Sequence, residues 1–260
     1  MKSELERAAA ANANFLASFR TLVQHSANGE VREFGRVFAF ATRFPVSLFN
    51  GCVVTGQSSP DDLRGALGWV RDQRVPYCVW IAESIGELGA VAAEFRLERD
   101  RVSYPNMVLD PVPEPPSPAE NVSVVRVGTS RELEHFFDVS VDLGMARELA
   151  ERVFSPRFVA DPDVELFTGW LEGQPAGTSL AIRSGEVSGV YNVGVVPGAR
   201  RRGVGTALTW ASVAAGRAWG CEPIVLQATE MAIPMYEAMG FRTVASYAVF
   251  REPPASGFEP

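Results

Sequence analysis

The sequence predicts an α/β (α+β) fold: a mixed, largely antiparallel central sheet flanked by helices, with the arrangement present twice. Three observations predict it. The C-terminal half carries three strand-like runs, Glu165–Glu172, Ala176–Arg183 and Val187–Val196, joined by Gly173-Gln174-Pro175 and Ser184-Gly185-Glu186. Such joins are turn chemistry, so the runs form consecutive antiparallel hairpins. Helix, strand, helix and strand patterns follow, which places helices on the faces of a mixed sheet. The two halves also echo each other. Asn50 with Val53-Val54 matches Asn192 with Val195-Val196 at an offset of 142, and Leu67 matches Leu208 at 141. Pro76 matches Pro223 at 147, and Phe95-Arg96 matches Phe241-Arg242 at 146. Near-constant offsets along a matching order of elements point to internal duplication.

In chain order, Leu5–Gln24 reads as a helix. β-rich runs at Val31–Thr42 and Val46–Thr55 follow, then a helix near Asp61–Arg74 and a strand at Tyr77–Ala82. A helix near Ile85–Glu94 and a strand near Ser103–Leu109 complete the first half. Asp110–Asn121 places five prolines in twelve residues. Proline at that density suits neither a helix nor a central strand, so the segment reads as a semi-rigid linker. The expected domains are therefore 1–109 and 122–260, joined by 110–121. Beyond the linker, Val122–Val127 is a short strand, and Ser130 caps a helix running to Leu143 with Glu132 and Glu134 in its first turn. Ala146–Phe154 is a second helix. After the three strands come a helix over Gly203–Trp219, stopped by Gly220, and a buried strand at Pro223–Ala228. A short helix at Ile233–Met239, stopped by Gly240, and a strand at Tyr247–Phe250 end the pattern.

Composition excludes much. The chain has 260 residues, 47% hydrophobic and 21% charged, as ordinary globular domains do. A net charge of −7 argues against a nucleic-acid or anionic-membrane partner. No apolar run approaches a bilayer span, and the start MKSELERAAAANANF lacks a signal peptide's apolar block, so a cytoplasmic location is expected. The two histidines and three cysteines show no metal-ligand spacing, so neither a zinc site nor a disulfide framework is expected. Lys2 is the sole lysine, which removes Schiff-base and P-loop lysines. No Gly-x-Ser-x-Gly elbow occurs. Chemistry is left to backbone, arginine, tyrosine and carboxylates.

The most informative stretch runs from Val193 to Leu208, out of a strand, through a turn and into a helix. Gly203 and Gly205 let backbone approach a ligand. The first helical turn offers unpaired N–H groups at the positive end of the dipole. Arg200, Arg201 and Arg202 concentrate positive charge there. A lone Gly-x-Gly would read as an exposed turn with solvated arginines. Strand, Arg-x-x-Gly-x-Gly and helix together read as a site for a polyanion such as pyrophosphate. A Rossmann turn would need a glycine where Leu208 stands, and a Walker loop would need Gly-Lys-Ser/Thr.

Arg200-x-x-Gly203-x-Gly205 after a Val-x-Pro strand end resembles the acetyl-CoA motif of the GNAT superfamily of N-acetyltransferases. Thr229 to Phe241, with Tyr236 followed by Gly240-Phe241, resembles that family's later motif. The resemblance covers Asn121 to Glu252 and makes the N-terminal half a degenerate, shortened copy, as in tandem members. It implies acetyl-CoA as cosubstrate, held by Val195, Val196, Arg200, Arg201, Arg202, Gly203, Val204, Gly205, Thr206 and Thr229. Pantetheine would lie between splayed strands, with Val195 and Val196 backbone groups bonded to it, and pyrophosphate on the N–H groups of Arg201 to Thr206. The reaction implied is direct attack by a neutral amine, from a small-molecule or peptide acceptor, with Tyr236 as acid for the departing thiolate. Two departures matter: Thr229 stands where the family often has Asn, and the central strand carries no carboxylate.

Glu186, Glu165 and Glu230 are the nearest carboxylates in sequence, each better read as a solvated charge, so the base is unassigned. His135, beside Phe136 and Phe137, reads as structural and Cys221 as core. A CoA-binding sensor or scaffold without turnover is the alternative function. In the N-terminal half the matching turn is Thr55 to Arg64, where Asp61 and Asp62 put negative charge in place of a phosphate cradle. Neither the acceptor nor the oligomeric state can be read from the residues.

Overall fold

A computed structural model describes residues 3–253. In chain order the elements are α1 (Glu4–Gln24), β1 (Glu30–Phe34), β2 (Val37–Ala41), β3 (Asn50–Val54), α2 (Pro60–Asp72), β4 (Cys78–Ala82), α3 (Gly89–Glu94) and β5 (Glu98–Leu109). There follow β6 (Val122–Arg126), α4 (Ser130–Asp142), α5 (Arg147–Val153), α6 (Pro156–Val159), β7 (Val164–Leu171), β8 (Gln174–Ser184), β9 (Val187–Val195), α7 (Val204–Ala218), β10 (Ile224–Gln227), α8 (Ile233–Ala238) and β11 (Arg242–Arg251). The order of the expected elements holds, though the run read at Val31–Thr42 is a hairpin of β1 and β2 and the helix read at Ile85–Glu94 opens as a 3-10 stretch; the fold is the mixed, largely antiparallel sheet with helices on its faces. The cap of α4 is Thr129 rather than Ser130. Its side chain accepts from the Glu132 N–H while the Glu132 carboxylate accepts from the Thr129 N–H, a reciprocal box that satisfies two end groups at once. The α6 turn, capped by Ser155, had no counterpart in the sequence pattern.

The chain divides into two compact units that are not the stretches on either side of the proline-rich segment. One unit, here the C-terminal unit, gathers the residues up to Phe15, Met107–Gln227 and Pro234–Arg242. The other, the N-terminal unit, gathers Leu16–Asn106, Ala228–Ile233 and the chain from Thr243 onward. Pairing gives the reason. β11, last in the chain, runs antiparallel to β4 from Tyr247↔Ala82 to Arg251↔Cys78. Tyr247 is fully buried with its ring edge-on to Trp80, and Arg251 bonds Asp100. The sheet of the N-terminal half thus continues from β4 onto a strand from the far end of the sequence.

The start of α1 belongs in turn to the C-terminal unit. Arg7 pairs there with Asp110 at 2.5 Å. The proline-rich stretch carries no helix or strand between Asp110 and Asn121, and its beginning is pinned: the Val112 N–H donates to Glu222 and its carbonyl accepts from Arg217.

Within the N-terminal unit, β1, β2 and β3 form antiparallel hairpins, and β4 runs parallel to β3 after the α2 crossover. Within the C-terminal unit, β6, β7, β8 and β9 are successively antiparallel, and β10 runs parallel to β9 after the α7 crossover. The same hairpins-then-crossover order in both units is the duplicated arrangement expected. Leu67 on α2 and Leu208 on α7, one of the echoed pairs, are both fully buried. Asn50 and Asn192 are not equivalent. Asn50 is a buried hub whose amide donates to the carbonyls of Phe44, Val46 and Pro76. Asn192 is exposed on β9 at φ 52.

α7 lies on the C-terminal sheet through Val204, Ala207, Leu208 and Ala215, packed with Val122, Phe167, Leu171 and Ala176. Two strand glycines set how closely it can lie. A Cβ at Gly169 would fall 2.9 Å from Val204 Cγ1, and one at Gly177 2.8 Å from Leu208 Cδ1. Below Leu208, the buried Ser179 hydroxyl donates to its carbonyl and accepts from Ser212.

Candidate functional site

The site grows from an interruption in β9. Leu180 of β8 faces Tyr191 and Thr178 faces Gly194, so Asn192 and Val193 together oppose Ser179. That extra residue is a β-bulge, with Asn192 in the left-handed region at φ 52. On the other edge, β10 matches β9 only at Ile224↔Ser188 and Val225↔Gly189. Leu226 and Gln227 continue as strand without partners on β9. Beyond Gly189 the two strands have separated, and the edge of β9 from Val190 to Val195 faces a gap.

Alternation in the antiparallel ladder tells which groups face it. Val195 is directly opposite Gly177, and the Val196 N–H donates to Ala176 at 2.9 Å. Val196 therefore spends its N–H on β8, and the N–H and C=O of Val195 point to the open edge. The Val195 carbonyl accepts from Arg200 Nε at 3.2 Å. Of the two backbones expected to bond a ligand, Val195 has the orientation and Val196 does not.

The turn after β9 leads into the N-terminus of α7. Pro197–Ala199 form one 3-10 turn, with Ala199 buried as its anchor. Arg201 then adopts φ 58 and Gly203 φ 89. Gly203 is the N-cap residue of α7 and no side chain caps the helix. The first N–H groups of α7 thus lack the side-chain acceptor that α2 and α4 have. The three arginines differ. Arg202 is ion-paired with Glu172, Arg200 is held to the Val195 carbonyl, and Arg201 is exposed without an ion pair among the described residues. At Gly205 an added Cβ would meet Met235 Sδ at 3.4 Å and Val195 Cγ2 at 3.6 Å. The end of β9, the start of α7 and the α8 turn therefore converge on one point.

Tyr236, on α8, is 5% exposed, with its ring edge-on to Phe241 at 5.7 Å. Burial pushes its phenol from the ordinary 10 up to about 12, and contact with the Thr209 hydroxyl offsets part of that. Thr209 donates to the Gly205 carbonyl at 2.9 Å, so the phenol is linked through one hydroxyl to the first turn of α7. A group with this shift stays protonated at physiological pH. It can give a hydrogen bond or a proton and cannot serve as base.

The same shift has a stability consequence. Above pH 10 the unfolded chain releases the Tyr236 proton while the folded chain keeps it, so stability falls as pH rises toward about 12. The loss from this group is expected to reach about 3 kcal/mol. Buried Cys52 and Cys78 add to alkaline destabilisation in the same direction. Urea unfolding at pH 9 and pH 11 should show a smaller drop for Tyr236→Phe than for wild type, and equal drops would show that the phenol is not shifted.

Thr229 belongs to the N-terminal unit, exposed ahead of the 3-10 turn Glu230–Ala232. Glu230 is exposed in that turn, Glu186 is exposed in the β8–β9 turn, and Glu165 pairs with Arg126 at 3.3 Å. β9 carries no carboxylate, so the base stays unassigned. His135 is half-buried, edge-on to Trp170, and Cys221 is a buried free thiol. Among the described residues no cluster of three His, Cys, Asp or Glu is placed to hold a metal, and no helix is long and apolar enough to cross a membrane. A cavity of about 490 Å³ between β6, α4 and α6, lined by Arg126, Thr129 and Asp161 among others, includes none of the cradle residues.

An open strand edge leading into a glycine turn and an uncapped helix is what the resemblance implied, and residues 131–241 match the acetyltransferase (GNAT) family. That stretch of the chain is similar to the GNAT acetyltransferases. A mycothiol acetyltransferase from Frankia alni (strain DSM 45986 / CECT 9034 / ACN14a) is 31% identical over 194 residues. That match covers 63% of this chain and 56% of the relative, so the chain spans little more than half of that protein's length. A GCN5-related N-acetyltransferase from Kribbella flavida shares the fold with a TM-score of 0.69, at 19% identity and 96% coverage of both chains. A tandem GNAT protein from the clavulanic acid biosynthesis pathway shares it at 0.58, with 14% identity and coverage of 89% and 86%. GNAT acetyltransferases use acetyl-CoA.

The N-terminal unit is built differently at the matching place. β3 and β4 pair along their length, from Gly51↔Cys78 to Val54↔Ile81, so no gap opens between them. The N-terminus of α2 is closed by its own residues: Ser59 accepts from the Asp62 N–H at 3.0 Å and Asp62 accepts from the Ser59 N–H.

Proposed function

We propose that this protein is an acetyl-CoA-dependent N-acetyltransferase, with one active site, in the C-terminal unit. The observation that carries the proposal is the parting of β9 from β10 at Gly189, on the strand that runs on through the Pro197–Ala199 turn to the uncapped N-terminus of α7. The Val195 carbonyl, on the open edge of β9, would accept from a pantetheine amide N–H. The N–H groups from Arg201 to Thr206 would take the pyrophosphate, with Arg201 nearest to free as a counter-charge. Acetyl-CoA supplies an activated thioester. A neutral amine attacks its carbonyl carbon, the new C–N bond replaces the C–S bond, and the sulfur leaves with the electron pair. The Val195 N–H faces the gap, where it can bond the carbonyl oxygen as negative charge builds there. Tyr236 donates to the departing sulfur. The acceptor is a small-molecule or peptide amine, and its surplus proton passes to solvent.

The lack of a carboxylate on β9 favours one rival reading, a module that binds acyl-CoA without turning it over. Three measurements test the proposal, and the third separates it from the rival. Acetyl-CoA at about 100-fold excess over Kd should add roughly 2.7 kcal/mol of stability and raise Tm by a few degrees. Calorimetry should give one acetyl-CoA per chain, because β3 and β4 are zipped and α2 is self-capped. A stoichiometry of two would reopen the N-terminal unit as a site, and no shift at millimolar acetyl-CoA would end the assignment. CoA-thiol release with a panel of amines then separates enzyme from sensor.

A further inference from the structure

A strand that loses its neighbour half-way along needs something else to hold its course. β9 loses β10 at Gly189, and a residue from the other end of the sequence meets it there. Asn14 of α1 is 1% exposed, and its amide donates to the Ile182 carbonyl at 3.1 Å and to the Val187 carbonyl at 3.2 Å. Those carbonyls belong to β8 and β9, so one side chain ties the two strands at the turn end of their hairpin. Its Oδ1 accepts from the Tyr191 phenol at 2.6 Å. Tyr191 is the second residue of the stretch that faces the gap.

Gly189 records how tightly these groups are set. A Cβ there would stand 2.1 Å from Asn14 Oδ1 and 2.4 Å from Tyr191 Cε2. The last residue of β9 to match β10 is a glycine because the Asn14–Tyr191 pair fills the space beside it. These three contacts of Asn14 and Tyr191 lie within the C-terminal unit.

We infer that Asn14 and Tyr191 are positioning residues for acetyl transfer. Asn14 fixes the Tyr191 phenol, and the fixed Tyr191 holds the unpaired edge of β9 in the geometry that places the thioester. The inference rests on the proposed function, since it is the acyl donor that the edge would hold. Neither residue needs to touch the reacting atoms. A displacement near 1 Å in a donor-binding strand is enough to slow chemistry about 100-fold.

The test uses the full chain and acetyl-CoA, with the amine that the panel selects. Tyr191→Phe removes one oxygen and leaves the ring against Gly189, so it isolates the tether. Asn14→Ala removes the amide as well. Both variants are expected to lower kcat about 10- to 100-fold, with KM for acetyl-CoA and Tm changing far less. The double variant should be no slower than the slower single one, since both remove the same tether. Amide exchange over residues 187–196 should quicken in both variants, while the first turn of α7 keeps its wild-type protection. A folded Tyr191→Phe variant with wild-type kcat overturns the inference, even if Asn14→Ala fails to fold. Failure of the wild-type protein to bind acetyl-CoA would instead bring down the function itself, and the two failures are read from different samples.

Discussion

Replacing Tyr236 by phenylalanine is expected to lower kcat about 10²- to 10⁴-fold, the usual contribution of a positioned general acid. The affinity for acetyl-CoA should change little. The phenol sits behind the first turn of α7, linked to the Gly205 carbonyl through Thr209, and the N–H groups proposed to take the pyrophosphate do not depend on it. Its proposed hydrogen bond to the leaving sulfur would strengthen only as the C–S bond breaks. An interaction made only in the transition state lowers kcat and kcat/KM together when it is lost. The fold should persist. The ring stays against Phe241, and one neutral hydrogen bond is worth about 1 kcal/mol. With the phenol held near 12, the wild-type rate should show no alkaline limb from Tyr236 below about pH 10. Wild-type turnover in a folded Tyr236→Phe variant would make the tyrosine a packing residue, and another donor would then have to serve the thiolate.

Local chemistry made much of this legible in the residues. The hairpins of the C-terminal unit follow from Gly173-Gln174-Pro175 and Ser184-Gly185-Glu186, where turn residues leave the backbone little choice. The turn into α7 follows from Gly203, because a positive φ is written as glycine. What the residues hid depends on distance along the chain. Nothing in Arg242–Arg251 says that this strand pairs with Cys78–Ala82 more than 150 residues earlier, because any half-buried alternating strand fits a free edge. Asn14 lies in an Ala-rich helical stretch and gives no sign that its amide spans two strands of the other half. The echo between Asn50 and Asn192 misled for a related reason: identical letters at a constant offset say nothing about whether the side chain is a buried hub or an exposed bulge. Charge was misjudged too. Three consecutive arginines read as one positive patch, whereas Glu172 and the Val195 carbonyl engage two of them.

Gly203→Asp should abolish measurable acetyl-CoA binding at micromolar concentrations while sparing the fold. The steric part is small, since a Cβ at Gly203 would meet only Val122 Cγ2, at 3.9 Å. The backbone part is moderate. At φ 89 a side chain costs about 1–2 kcal/mol, and aspartate is among the residues that tolerate that region best. Against this cost stands a gain. Position 203 is the N-cap of α7, and aspartate is a strong N-cap whose carboxylate accepts from the second or third N–H of the helix. The variant therefore caps its own helix with the donors that a pyrophosphate would use. It also sets a negative charge where the ligand brings its own. Charge-assisted hydrogen bonds are worth about 1.5–3 kcal/mol each, so two lost donors weaken binding by roughly 10²- to 10⁴-fold before repulsion is added. Gly203→Asn separates the contributions. It caps the same N–H groups with nearly the same shape and no charge, so its affinity should fall between wild type and Gly203→Asp. Gly203→Ala adds only the Cβ and the backbone cost, and it should bind best of the three. Equal affinities across the series, measured by calorimetry on variants with wild-type circular dichroism, would mean that the turn shapes the chain and holds no phosphate.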